Sequence, residues 1–318
     1  MTSHPRHVRR TIALTLGTLA VAGAGVALAN TIPNQASSNW AGWVATAVPR
    51  SVSVASHFTN VTGSWVQPAA TCAPDETTFA AFWVGLGGYA PRSKALEQIG
   101  SEADCSSHGQ LFYYAWYELV PRPPVTIARL KITPGDSISA SVHVSSNHVT
   151  LTLTDNTTAA LRFVKRAVMQ SPVPDTSAAE WIAEAPASCS GNNHCRPLRL
   201  TNFGQIGFTA ASASAIGTDG SHTGPIDDPV WDSGAILLSS NGRVRYSVNE
   251  ASYALPSSLS PGGAAFTVNF GPTADTGQTG QSGPTGLSGQ SGPSGLSGPS
   301  GPSGLSGPTG LSGPTGAT

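Results

Sequence analysis

Two isolated polar side chains lie among small or apolar neighbours and could do chemistry together. Glu180 lies in the stretch AAEWIAEAP (178–186), and Gln98 lies in ALEQIGSEADC (95–105). A glutamate with an ordinary pKa of about 4.3 is half ionised in mild acid, where it can take a proton and later return it. A glutamine amide does not titrate, so its N–H group can donate to a developing oxyanion at any pH. Such a pair could hydrolyse an amide bond without a metal or a nucleophilic side chain.

The pattern around Glu180 leaves two interpretations open. In a β-strand, alternate side chains point to opposite faces. One face would then carry Ala179, Trp181 and Ala183. The other would carry Glu180, Ile182 and Glu184. That second face is either an ordinary solvated surface or the wall of a cleft. Alanine and glutamate also favour helix, so the strand assignment depends on the rest of the chain.

Common catalytic and metal-binding signatures do not nominate another site. The sequence contains no G-x-S-x-G, no P-loop, no H-E-x-x-H and no C-x-x-C. The histidines after residue 29 all lie in polar or turn-like stretches typical of a surface: His57, His108, His143, His148, His194 and His222. We therefore predict no cofactor and no metal.

The elements that must position these residues are predicted to be strands. The stretches SISASVHV (137–144) and VTLTLT (149–154) alternate apolar and polar residues, which predicts a hairpin with its loop at 145–148. Further strand-like runs occupy 77–88, 109–119, 201–213 and 242–251. No long amphipathic, capped helical segment accompanies them. These features predict an all-β fold, an antiparallel β-sandwich of two packed sheets, concanavalin-like or jelly-roll in type.

The N-terminal segment has the pattern of a secretory signal peptide. Arg6, Arg9 and Arg10 precede an apolar run, and Ala27-Leu28-Ala29 is a small-x-small cleavage signature. No second long apolar segment follows, so we expect a secreted, extracellular protein without membrane contact after cleavage. The expected domains are a signal peptide over 1–29, a β-sandwich over 30–271 and a low-complexity tail over 272–318.

The charge balance argues against a nucleic-acid partner. The chain has 16 Lys and Arg against 17 Asp and Glu, and three of the arginines lie in the predicted signal peptide. The mature protein would therefore carry 13 basic and 17 acidic residues, a net charge of −4, with no basic patch. Only 10% of residues are charged, so acid should not readily unfold the protein.

The cysteines predict disulfides. An even number in an exported protein favours two bridges. The four are Cys72, Cys105, Cys189 and Cys195. Three pairings are possible, and loop length favours Cys189–Cys195, which leaves Cys72–Cys105. A zinc site is the alternative, with no ligand motif to support it.

The tail repeats glycine at every third position from Gly277 to Gly316. This is the period of collagen, because only glycine fits the axis of a triple helix. Two interpretations remain open: a stalk that makes a homotrimer, or a flexible Gly/Ser/Pro spacer.

Seven segments, in this order, resemble the glutamic peptidases, the eqolisin family: SNWAGWV, VTGSWVQP, FWVGLGG, LEQIGSEAD, YYAWYELVP, PGDSISASV and AEWIAEAP. The resemblance covers about residues 38–215. That family consists of acid-acting secreted endopeptidases with a β-sandwich fold and a Gln/Glu catalytic pair. The resemblance implies that Gln98 and Glu180 are catalytic. It also implies that five residues line or support the substrate cleft: Trp40, Trp65, Trp83, Trp116 and Glu118.

The chain departs from the family pattern at two acidic positions. Gly87 stands where fungal members have Asp, and Glu102 stands in place of another Asp. The carboxylate network that orients the catalytic amide is therefore expected to be thinner or rebuilt. The collagen-like tail is also outside the pattern.

We predict an endopeptidase that hydrolyses polypeptides in acid with Gln98, Glu180 and an activated water. Two alternatives belong to other classes. One is a non-catalytic β-sandwich that binds carbohydrate or a surface through exposed tryptophans. The other is a structural surface protein, with the sandwich as head and the tail as stalk.

Overall fold

The computed structural model describes residues 35–46, 55–157, 161–190, 194–217, 220–239 and 253–271. Every regular element within these ranges is a β-strand, so the all-β prediction is confirmed. No helix in these ranges could span a membrane. The predicted signal peptide, the tail and the predicted strand at 242–251 lie outside the described residues.

The strands follow one another with short connections. In chain order they are β1 (Gln35–Ser37), β2 (Trp40–Thr46), β3 (Ala55–Val66), β4 (Thr78–Gly87), β5 (Leu96–Cys105), β6 (Leu111–Leu119), β7 (Val125–Thr126), β8 (Ser137–Ser145), β9 (His148–Asp155), β10 (Leu161–Val168), β11 (Ala178–Glu184), β12 (Ala187–Ser190), β13 (His194–Pro197), β14 (Gln205–Gly217), β15 (Gly220–Gly224), β16 (Asp232–Ser239), β17 (Tyr253–Pro256) and β18 (Phe266–Phe270).

Two antiparallel sheets face each other. The front sheet has the order β16-β2-β11-β4-β5-β6-β7, and the back sheet has the order β10-β9-β8-β3-β14. Strands β18 and β17 connect their edges through β14 and β16. Strand β3 packs against β4 and β11, and β8 packs against β4 and β5. The predicted antiparallel sandwich of two packed sheets is confirmed.

The main core lies between the sheets. Trp181, Val84 and Ile99 project into it from the front sheet. The indole of Trp181 donates to the carbonyl of Thr62 on the opposite sheet, at 2.7 Å. The tryptophan thus fixes β11 against the back sheet, as strand alternation predicts for its face.

The hairpin of β8 and β9 forms as predicted, but its loop is shorter. Ser145 pairs with His148, so only Ser146 and Asn147 connect the strands. Ser146 has a φ of 57°, a left-handed conformation typical of tight two-residue hairpin turns. The two-residue turn therefore lets the strand pairing continue one residue further on each strand than the sequence predicts.

A second apolar cluster covers the other face of the front sheet. It includes Trp40, Val44, Trp83, Trp116 and Ile182. We call this side of the front sheet the cleft face. Because both faces are covered, strands β4, β5 and β11 have almost no exposed residue. Double coverage explains why the sequence of β4 is apolar almost throughout instead of alternating.

Both disulfides form with the pairing that loop length favoured. Cys72 bonds to Cys105 at the end of β5, and Cys189 bonds to Cys195 within the β12–β13 hairpin. Among the described residues, no group of three or more His, Cys, Asp or Glu side chains is placed to hold a metal ion.

Candidate functional site

Strand register places three polar residues in one row on the cleft face. Glu180 on β11 lies opposite Gly85 on β4. Gly85 lies opposite Gln98 on β5, and Gln98 lies opposite Glu118 on β6. Residues directly opposite on neighbouring strands project to the same side. The row therefore brings together the predicted catalytic pair and Glu118.

Gly85 places no side chain of its own between Glu180 and Gln98. Two strand spacings separate these residues, about 10 Å between their Cα atoms. A Cβ at position 85 would lie 2.8 Å from the ring of Trp83 and 3.1 Å from Leu96. The glycine thus makes room for the ring of Trp83 and for Leu96 on the cleft face.

The amide of Gln98 is held by Glu118. Its Nε2 donates to Oε2 of Glu118 at 2.6 Å, whereas its Oε1 is buried without a partner in the described part of the chain. One N–H and the carbonyl oxygen of the amide are therefore free for a ligand. Burial, and then the nearby Glu184, raise the pKa of Glu118 to about 8, against the opposing effect of the hydrogen bond from Gln98.

Glu180 is fully buried, and neither carboxyl oxygen has a hydrogen-bond partner among the described residues. Its pKa lies well above the ordinary value because of burial and then the charges of Asp175 and Glu97. Leaving a buried polar group unpaired costs free energy, about 1–3 kcal/mol in typical cases. A buried carboxyl without a partner is suited to bind a polar group of a ligand that enters the cleft, or to exchange a proton with it.

Tryptophans form the apolar floor of the cleft. Trp40 and Trp83 meet edge to face with ring centroids 5.1 Å apart. Glu184, on the same face of β11 as Glu180, accepts hydrogen bonds from Nε1 of Trp83 at 2.8 Å and from Nδ2 of Asn39 at 3.0 Å. Burial raises the pKa of Glu184 to about 7. This carboxyl therefore fixes the orientation of the indole beneath the row. Trp116 also belongs to the cleft cluster, and its Nε1 is buried without a partner in the described chain.

Trp65, which the resemblance places among residues that line or support the cleft, does not lie on the cleft face. It lies on β3 of the back sheet and projects into the main core, where its Nε1 donates to Oγ of Ser101 at 2.9 Å. Its ring packs against Phe208, with centroids 5.7 Å apart. Trp65 therefore supports the front sheet from the core side. It cannot reach the cleft face, because the front sheet lies between Trp65 and that face.

The acidic network is rebuilt around Glu102 and Asp104. Both lie on the cleft face of β5, and the hydroxyl of Tyr114 donates to Asp104 at 2.7 Å. Burial and the neighbouring Asp104 raise the pKa of Glu102 well above its usual value, and burial raises that of Asp104 to about 7. In acid these two carboxyls are neutral and can share hydrogen bonds.

The sequence analysis missed several residues that shape the site. The alternation of residues 178–184 predicted that Glu184 shares a face with Glu180, and this signal could have assigned Glu184 to the site. Asn39 stands in the segment SNWAGWV but had no assigned role. Asp175 and Tyr89 come from loops that meet only in the folded chain, so no local pattern could have found them.

Two family models match parts of this chain. The sequence model of the Peptidase A4 family matches residues 38–248, and that of the collagen triple helix repeat matches 269–318. Aspergillopepsin-2 from Aspergillus niger is 28% identical over 225 residues, which are 64% of this chain and 73% of that protein.

Two solved structures share the fold. Scytalido-glutamic peptidase with a peptide-based transition state analog superposes with a TM-score of 0.57 at 23% identity, covering 73% of this chain and 98% of that chain. SCP-B, described as an eqolisin family member in complex with the tripeptide Ala-Ile-His, gives a TM-score of 0.50 at 21% identity with the same coverage.

Proposed function

This chain belongs to the Peptidase A4 family, the glutamic peptidases, and from that premise we propose that it cleaves polypeptides in acid with Glu180 and Gln98 as its catalytic pair. The row of Glu180, Gly85, Gln98 and Glu118 carries the proposal. It presents a buried carboxyl and an amide on the same face of the sheet, and both groups have oxygen atoms without partners among the described residues.

The scissile peptide group would lie over Gly85, between Glu180 and Gln98. Glu180 takes a proton from a water molecule as the water attacks the carbonyl carbon, and it returns a proton to the leaving amine. The free N–H of Gln98 donates to the oxyanion that forms. The carbonyl oxygen of Gln98 accepts a hydrogen bond from the attacking water. Glu118 contributes by holding the amide in this orientation.

The raised pKa values set the limits of the active pH range. Glu180 must lose its proton to act as base, so activity should rise with pH as this carboxyl ionises. Because burial and nearby charges raise the pKa of Glu180, this rise should come at a higher pH than for an ordinary glutamate. Ionisation of Glu118, with a pKa of about 8, would place another negative charge beside the oxyanion, so activity should fall as pH rises through about 8. The proposal of cleavage in acid therefore rests on family membership.

The alternative of a carbohydrate-binding module depended on exposed tryptophans. The structure describes all seven tryptophans of the chain. Six are buried and Trp43 is half-buried, so the feature that favoured this alternative is missing.

Export and the domain plan form the second part of the proposal. We infer a signal peptide over 1–29, a peptidase domain over 30–271 and a collagen-like tail over 272–318. Two disulfides support an oxidising, extracellular location. The match to the collagen repeat supports a trimeric stalk, and sedimentation analysis with and without the tail would test it against a flexible spacer.

The test of the catalytic proposal is cleavage of casein or haemoglobin from about pH 2 to about pH 7. The wild type, Glu180→Gln and Gln98→Ala would be compared, with pepstatin and a metal chelator as controls. We expect acid-range cleavage that survives both inhibitors and is lost in both variants. Cleavage that persists in Glu180→Gln, or that the chelator abolishes, would contradict the proposal.

A further inference from the structure

The loop after β4 carries a tyrosine that the catalytic proposal does not use. Tyr89 packs against the apolar cluster of the cleft face, beside Trp83 and Leu96. Its hydroxyl is buried and has no hydrogen-bond partner in the described part of the chain. Burial and the charge of Glu180 raise the pKa of Tyr89 to about 12. The phenol therefore keeps its proton near the catalytic carboxyl and has no acceptor for it.

A carboxylate holds this loop on both sides of Tyr89. Oδ2 of Asp175 accepts hydrogen bonds from the backbone N–H of Gly88, at 3.2 Å, and from the hydroxyl of Ser93. Its Oδ1 accepts from the backbone N–H of Ser177 at 2.9 Å, which ties Asp175 to the start of β11. The same residue thus connects the tyrosine loop to the strand that carries Glu180.

Gly87 is the position that makes room for Asp175. It has a φ of +82°, and a Cβ built there would lie 2.5 Å from Cβ and 2.8 Å from Cγ of Asp175. Any other residue at 87 would displace the aspartate. The departure from the family pattern at Gly87 is therefore matched by a carboxylate that enters the same space from residues preceding β11.

We propose that Tyr89 is a substrate-contacting residue of this active site, and that Asp175 is the positioning residue that holds it there. The hydroxyl of Tyr89 donates to a backbone carbonyl of the bound polypeptide beside the scissile bond. A buried hydroxyl without an acceptor is rare in native proteins, and a polypeptide along the cleft brings carbonyl oxygens to it. This inference rests on the proposed function, because it uses the same cleft and the same substrate class.

Removal of the hydroxyl tests the contact directly. Tyr89→Phe keeps the ring and its packing, so thermal stability should be unchanged. We expect kcat/KM for an internally quenched peptide, taken from a casein cleavage site, to fall roughly tenfold, the effect of losing one hydrogen bond. Tyr253→Phe, outside the cleft on β17, is the matched control and should behave as wild type. If Tyr89→Phe cleaves as well as wild type, the inference is overturned.

The positioning role is tested by a double-mutant cycle. Activity is compared at the pH optimum of each variant, because the charge of Asp175 also raises the pKa of Glu180. Asp175→Ala should then lower kcat/KM in the wild-type background but have little further effect in the Tyr89→Phe background, because the two residues act through one contact. A purely structural aspartate would lower activity equally in both backgrounds, and that result would refute its role. Asp136→Ala, which removes a turn carboxylate from Thr133, controls for general loss of stability.

A binding measurement separates this inference from the catalytic proposal. The same peptide is titrated against Glu180→Gln, followed by tryptophan fluorescence, with and without Tyr89→Phe. We expect binding about tenfold weaker when the phenol is absent. Binding that is unchanged by Tyr89→Phe overturns the inference and leaves the catalytic proposal standing. A protein that neither cleaves nor binds the peptide overturns both.

Discussion

The two faces of the front sheet are equally buried but differ in how their polar groups are arranged. On the core face, Trp181, Val84 and Ile99 pack against the back sheet, and the indole N–H of Trp181 donates to the carbonyl of Thr62. A single carboxyl, that of Glu97, shares the face of Ile99 on β5 and lacks partners in the described chain. On the cleft face, Glu180 and Gln98 also keep oxygen atoms without partners there. A row of polar side chains on neighbouring strands, and not exposure, distinguishes the functional face.

The largest expected effect is the loss of catalysis in Glu180→Gln with the fold intact. Removing a general base costs about 10²- to 10⁴-fold in rate. Stability should be equal or higher, since a buried carboxyl without a partner is replaced by a neutral amide. The neighbouring Trp181→Ala should do the opposite and destabilise the fold by about 3–5 kcal/mol. Assays of activity and of denaturant unfolding on both variants check this prediction. If Glu180→Gln does not fold, the cleft face is also needed for stability, and the contrast between the two faces fails.

Gln98→Ala should have the next largest effect. Losing an oxyanion donor costs about 10²- to 10³-fold in kcat, while KM should change little because the donor acts mainly in the transition state. Steady-state kinetics at the acid optimum provide the measurement. A change confined to KM would indicate that the amide binds substrate without stabilising the oxyanion.

Rising pH should weaken the fold through the cleft face. Six buried carboxyls have pKa values raised above normal, with burial as the largest cause: Glu97, Glu102, Asp104, Glu118, Glu180 and Glu184. The folded state therefore binds more protons than the unfolded state above about pH 4.5, and stability falls as pH rises through about 7 to 8. We expect Tm to drop by about 10 °C or more over this interval.

Calorimetry across the pH range, with Glu118→Gln and Glu184→Gln as variants, would test this dependence. Each variant removes one titrating carboxyl, so each should flatten the fall in Tm. Stability that increases toward neutral pH would show that these groups are ionised in the folded state.

The smallest expected effect is that of Glu184→Gln on catalysis. A carboxylate has two oxygen atoms that accept these hydrogen bonds, whereas an amide has one. The indole of Trp83 and the amide of Asn39 would therefore compete for the same acceptor. We expect a loss of roughly three- to tenfold in kcat/KM, about the worth of one hydrogen bond. Asp104→Asn, farther from the row, is the comparison. An equal loss there would indicate a general effect of the acidic network.

Strand periodicity and loop length predicted the parts that depend on local sequence. The β8–β9 hairpin, the face shared by Glu180 and Glu184, and both disulfides follow from residue spacing and are confirmed. The loop at 145–148 was predicted two residues too long, because the left-handed conformation of Ser146 is not evident from its residue type. The resemblance left open whether Trp65 lines or supports the cleft, because a motif position does not say which face of the fold a side chain occupies.

Residue patterns in the sequence were enough to predict the all-β architecture and the disulfide pairing, whereas the resemblance to the glutamic peptidases nominated the pair of Glu180 and Gln98. Side-chain alternation and loop length are local properties, so they can be read from the sequence without knowing the order of the strands. The tertiary structure decided that Gly85 lies between the pair and that Asp175 fills the space over Gly87. These arrangements depend on register between strands that are distant in sequence, and register is set only when the two sheets pack.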